Sequence, residues 1–184
     1  QEGAVIIKNG AILDVSGASV INDTRTAAGF IRETLHGDAG TIQMTGVGSL
    51  LIDGAFKASA TGTGRDGSLA LKFDQLVFTD VNGITDPNPF GSGTFAITQQ
   101  KQLAANTIFQ GDAIKPDATL PATVENTQNL KAQISAQQIS EGGFANLKVK
   151  SFVLSSPETN KIELANGLDL KLAGNLQLES PQLI

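Results

Sequence analysis

The chain has 184 residues, 40% of them hydrophobic and 17% charged, with a formal net charge of −5. That is enough apolar material for the core of one domain and too little charge for a disordered chain. Its 13 Lys and Arg residues are scattered and outnumbered by 18 Asp and Glu. This excludes the clustered basic surface that nucleic acid requires and gives no pull towards anionic lipid. The absence of cysteine excludes disulfides, thiolate nucleophiles and zinc–thiolate sites. In a chain this rich in small polar residues and glycine, it also fits bacterial export. No apolar run reaches the roughly 18 residues of a membrane span, so no membrane insertion is expected. The chain begins at Gln1 without a charged-then-apolar leader and stops at Ile184 in mid-pattern. Both ends are therefore expected to be cut from something longer.

Alternation of apolar and polar residues, the mark of strands, dominates the chain. In order, strands are expected at 11–15, 41–44, 49–53, 68–73 running into 76–78, 94–98, 130–136, 147–150 and 152–154. The C-terminal stretch adds 161–164, 168–172 and 176–179, where Ile162, Leu170 and Leu178 recur at constant spacing. Ala165-Asn166-Gly167 and Ala173-Gly174-Asn175 separate them and are turn formers. Many strands open on a glycine and a small residue, as at Gly40-Thr41, Gly48-Ser49, Gly67-Ser68 and Gly93-Thr94. A glycine of positive φ is expected at each such corner, and Gly48 to Gly67 is close to one coil of a three-sided solenoid.

These features give an all-β fold, a single right-handed parallel β-helix (a solenoid) over 1–184. An antiparallel sandwich is the competing arrangement, because the hairpin signature Asn-Gly occurs at Asn9-Gly10, Asn82-Gly83 and Asn166-Gly167. Extruded loops are expected near 18–39, a polar insertion, and near 79–93 and 104–129, where regular alternation lapses and prolines collect. Helix signals are poor; the best is Phe30–Leu35, too short to stand alone.

Gly10-Ala11-Ile12-Leu13-Asp14-Val15-Ser16-Gly17 and Gly48-Ser49-Leu50-Leu51-Ile52-Asp53-Gly54 resemble phrases of the filamentous haemagglutinin-like exoproteins of two-partner secretion. So do Gly142–Leu147 and the run from Leu168 to Pro181. The resemblance implies a long right-handed β-helix, exported through an outer-membrane secretion partner to the surface or surroundings of a Gram-negative bacterium. It implies an adhesin, or a filament carrying a contact-dependent inhibition toxin, and it carries over no catalytic residue.

The chemistry on offer is sparse. His36 is the sole histidine, so a Ser/His/Asp triad would depend on it alone, and it reads as a solvated loop residue. One histidine cannot supply a multi-imidazole metal site. Gly62-Thr63-Gly64-Arg65-Asp66-Gly67 is similar to one copy of a calcium-binding repeat, but such sites need stacked copies, and a glycine-rich corner is the plainer account. Asp74, Asp80 and Asp86 would be the carboxylates of a carbohydrate-active enzyme; acidic residues at strand ends more often serve solubility. Asn9, Asn82, Asn166 and Asn175 are candidates for an amide ladder between coils. Phe73, Phe78, Phe95, Phe144 and Phe152 are expected in the core, with Phe56 and Phe109 less clearly so. No catalytic residue, metal site or cofactor is expected. The expected role is structural or display, with binding of a host or bacterial cell-surface receptor or glycan through the loops as the alternative. The regular strand faces are expected to offer no pocket.

Overall fold

The computed structural model describes residues 5–47, 50–75, 78–79, 85–86, 93–101, 109–110, 113–114, 131–153 and 160–184. These are mostly strand with one short helix, so the fold class is all-β. The elements in order are β1 (Val5–Ile7), β2 (Ile12–Asp14), β3 (Ser19–Thr26), β4 (Gly29–His36), β5 (Thr41–Val47), β6 (Leu50–Ile52), β7 (Ala55–Lys57) and β8 (Gly67–Gln75). There follow β9 (Phe78–Thr79), β10 (Thr85–Asp86), β11 (Thr94–Thr98), β12 (Phe109–Gln110), β13 (Ala113–Ile114) and β14 (Lys131–Ser135). The last are α1 (Ala136–Gly142), β15 (Phe144–Val153), β16 (Lys161–Leu164), β17 (Leu176–Glu179) and β18 (Gln182–Leu183). Apart from the backbone of β9, β10, β12 and β13 and Gly93, the expected loops at 79–93 and 104–129 lie outside the described residues, as do Asp80, Asn82, Gly48 and Ser49.

Three sheets are built from parallel pairs. One has the order β1-β6-β14-β11-β16-β18, the second β17-β15-β8-β5, and the third pairs β2 with β7. Parallel neighbours cannot be joined by a tight turn, so the chain must travel elsewhere between them. Here it travels through the other sheets: β1 to β2 to β5, then β6 to β7 to β8, then β14 through α1 to β15. In-register contact stacks like side chains on like. Val5, Leu50, Ala132, Phe95, Ile162 and Leu183 form one column across the first sheet. Ile42, Leu69, Leu147 and Leu176 form another across the second. Inward residues of all three sheets meet in one buried cluster, in which Phe73, Phe95, Val149 and Ile162 have no exposed surface, while the column ends Leu176 and Leu183 are exposed. Phe56 and Phe144 are buried with their rings edge to face, 5.7 Å apart, whereas Phe152 is half-exposed.

Strand order, on which the sequence is silent, departs from chain order, because β14 inserts between β6 and the earlier β11. Several expectations are corrected. The expected strands at 147–150 and 152–154 are one, β15. The expected strand at 130–136 ends at Ser135, where α1 begins with a capping box: the Ser135 side chain accepts from the Gln138 N–H while the Gln138 side chain reaches back to the Ser135 N–H. The helix occupies the turn of β2 and β7 in its pass, joined to the strand below by Ala58 N–H donating to Gly142 O at 2.7 Å. Residues 168–172 form no strand although Leu168, Leu170 and Leu172 pack against the core.

The corner glycines are not there for positive φ, since Gly40, Gly67 and Gly93 have none. They are there for close approach: a Cβ on Gly67 would overlap the Gly40 carbonyl oxygen, one strand away. Substituting Gly67→Ala is accordingly expected to cost about 2 kcal/mol, measured by urea denaturation. An unchanged midpoint would show that the corner yields.

Candidate functional site

Residues 19–36 form an antiparallel ribbon, β3 paired with β4 from Ser19↔His36 to Thr26↔Gly29. Gly29, at φ 127, closes the two-residue turn, and Thr26 Oγ1 donates to Gly29 O at 3.0 Å. Phe30–Leu35, the best helix window in the sequence, is thus strand. Val20, Leu35 and Ile31 lie on one face with Asn22 and Glu33; Ile21 and Phe30 lie on the other with Asp23 and Arg32. All but the half-buried Asn22 are exposed, Phe30 at 74%. A bidentate pair, Arg32 Nε and Nη2 on the two oxygens of Asp23 at 2.8 and 2.9 Å, ties the strands and holds the Asp23 carboxyl below its usual pKa.

The ribbon is rooted in a corner where the histidine and the glycine-rich motif meet. His36 Nδ1 lies 3.3 Å from Thr61 Oγ1, and its ring covers Gly62, whose φ is 56. Asp66 Oδ1 accepts the Ala60 N–H at 2.7 Å, and Asp38 Oδ1 accepts the Arg65 N–H at 2.8 Å. These carboxylates therefore bind backbone within the corner itself. Among the described residues no three of His, Asp and Glu gather as a metal set. Removing divalent cations with a chelator is expected to leave the melting temperature unchanged; a fall of several degrees would assign the corner to calcium.

Asp74 is ion-paired with Lys72 at 2.6 Å, and the side chains of Asp80 and Asp86 lie outside the described residues. The Asp14 of the Leu-Asp-Val-Ser-Gly phrase accepts the Ser16 N–H at 3.0 Å, which shapes a turn, and the Ser16 hydroxyl foremost, then this N–H, lowers its pKa. The two phrases that look alike, 10–17 and 48–54, hold β2 and β6 and so belong to different sheets. An amide ladder exists, on partly different residues from those expected. Asn175 Nδ2 donates to Asn146 Oδ1 at 3.2 Å, and Asn146 Nδ2 to Ser68 Oγ at 3.1 Å. Asn9 instead accepts from Lys101 Nζ at 2.8 Å. The fully buried Asn160, which the sequence did not single out, accepts the Gly93 N–H at 2.9 Å.

The outward face of the second sheet departs from the expectation of featureless strands. Its columns run Gln43–Ala70–Lys148–Gln177 and Thr45–Lys72–Lys150–Glu179. Ala70 is small, and above it an open cradle of about 290 Å³ is lined by Gln43, Lys72, Lys148 and Lys150. Glu179 is held by Lys148 Nζ at 2.8 Å and Lys150 Nζ at 3.1 Å, and these two ammonium groups, Lys148 foremost, keep its carboxyl below the usual range. Lys150 Nζ also stands 5.6 Å from the Phe152 ring centroid. Each lysine was visible as an outward strand residue; what the sequence hid was the cross-strand register that gathers them.

Compared with known proteins, the chain matches no family model, no curated protein and no solved structure. Among the described residues no helix is long and apolar enough to cross a membrane.

Proposed function

We propose that the chain is a segment of a right-handed parallel β-helix that serves as a structural, display-bearing shaft of a secreted or surface-exposed adhesin-like exoprotein, with no catalysis of its own. One observation supports this reading: strands β1 and β6, and β5 and β8, pair in parallel and in register after the chain has passed through the other sheets, with their inward residues in a common core. Stacked coils require such passes, because each turn then buries its aliphatic residues on the turns above and below. The sequence resemblance supplies the setting, a Gram-negative two-partner secretion protein that leaves the cell through an outer-membrane partner. The test is export of the full-length protein with and without the outer-membrane transporter encoded beside it, followed by immunoblotting of cells and medium. Appearance at the surface or in the medium only with the transporter supports the reading. Retention in the cytoplasm in both cases overturns it.

A second reading has its own observation. The β3–β4 ribbon presents Val20, Ile21, Phe30, Ile31 and Leu35 to solvent, and apolar groups displayed on a rigid body are what a receptor-binding loop requires. If the ribbon is the recognition element, Phe30→Ser with Ile31→Thr abolishes attachment to target cells while the protein stays folded; undiminished attachment removes this reading.

A further inference from the structure

We infer that the outward face of the β5-β8-β15-β17 sheet binds a carboxylate-bearing polysaccharide at the cradle over Ala70. The proposal goes beyond the shaft reading and stands on the sheet face alone.

The chain as a whole is acidic, at −5, yet the described residues of this face carry three lysines, Lys72, Lys148 and Lys150, against two carboxylates, Asp74 and Glu179. The register puts these lysines on adjacent strands, Lys72 directly beside Lys150, about 4.8 Å apart along the sheet. Within the sheet Lys72 holds Asp74 while Lys148 and Lys150 share Glu179, so three cations stand against two anions and the face keeps a surplus of one positive charge. The protein itself shows which anion suits the spacing. Glu179 places one carboxylate between the ammonium groups of Lys148 and Lys150, an oxygen on each. On the other side of β15 the same two lysines, with Lys72, border the cradle, where Ala70 contributes only a methyl group and leaves the space open.

The setting also selects a polymer of sugars. An open cradle surrounds a small carboxylate poorly, so a free anion gains little from it. A polysaccharide with an acid on each sugar engages successive sites through one chain. Its hydroxyl groups meet the amide of Gln43, which lines the cradle in the same column as Ala70 and Lys148. Lysine acts as a point charge with rotatable donors and suits a carboxylate presented at varied angles.

The experiment measures binding of the intact chain to polygalacturonate, polyglutamate, dextran sulfate and neutral dextran by titration calorimetry. Polygalacturonate is expected to bind, neutral dextran not at all, and polyglutamate and dextran sulfate at least about tenfold more weakly than polygalacturonate. Lys148→Gln with Lys150→Gln is expected to weaken polygalacturonate by at least about tenfold. Ala70→Glu, which leaves every existing ion pair in place and fills the cradle with a carboxylate, tests the same point should the double variant fold poorly. It is expected to weaken binding equally, whereas Lys171→Gln, outside this sheet, is expected to change nothing. Equal binding of polyglutamate or dextran sulfate reduces the face to general attraction of polyanions and overturns the proposal. So does polygalacturonate binding that is absent or indifferent to Ala70→Glu.

Discussion

Replacing Gln138 by leucine is expected to lower the unfolding free energy by about 4 kcal/mol, although the side chain keeps its approximate size and becomes more apolar. Gln138 is buried, and every polar atom of its amide is engaged. Nε2 donates to Ile52 O and Gly54 O, each at 2.8 Å, and Oε1 accepts from Ser135 N at 3.1 Å and Ser135 Oγ at 2.8 Å. It thereby closes the cap of α1 and fastens the helix to the turn between β6 and β7. Leucine removes four hydrogen bonds, those of the Ile52 and Gly54 carbonyls and of the Ser135 N–H and hydroxyl, and a buried polar group left without its partner costs about 1–3 kcal/mol. The loss is read from the midpoint of a urea titration at constant slope. A change below about 1 kcal/mol would mean that water replaces the amide and that the helix is held by packing alone.

Phe95→Ala is expected to cost about 4 kcal/mol, within the range of a phenylalanine deleted from a closed core. Phe95 has no exposed surface and lies in β11, flanked in register by Ala132 on β14 and Ile162 on β16. Its large ring beside the small Ala132 fills what would otherwise be a gap between strands. Loss of the ring opens a cavity at the junction where the strand order departs from chain order. Neighbouring backbone is fixed by hydrogen bonds on both sides, which limits collapse into the hole. Thermal and urea unfolding measure the effect; a cost under about 1.5 kcal/mol would show that β11 sits in a looser part of the sheet.

Alternation made most of the paired strands legible, because each of them buries one face and leaves the other polar, as in the iBiBi pattern of Thr94–Thr98. Where that cause is missing, the signal is missing too. The β3–β4 ribbon buries neither face, so nothing imposes a period of two, and its residues scatter apolar and polar groups over both sides. β7 spans Ala55–Lys57 and turns one residue inward, Phe56, too short a run for any period. The helix α1 is under two turns long and followed a clean strand pattern. Its sequence signature was the Ser135-x-x-Gln138 box and the Gly142-Gly143 stop, with Gly143 at φ 70. Strand order was not legible at all. The inward columns are built of interchangeable Leu, Ile, Val, Phe and Ala, and none of these names its neighbour. The cradle was hidden for the same reason, since Lys72, Lys148 and Lys150 become neighbours only through the register of β8 and β15.

The most direct measurement is the set of amide-to-Hα nuclear Overhauser contacts around β11 and β8 in the isotope-labelled chain. Parallel pairing in the stated register predicts that residues around Ile97 contact those around both Ile134 and Leu164, and that residues around Leu71 contact those around both Met44 and Val149. Close Hα–Hα contacts between these segments, the mark of antiparallel neighbours, or the absence of any contact between β11 and β14, would contradict the parallel, stacked arrangement on which the proposed shaft rests.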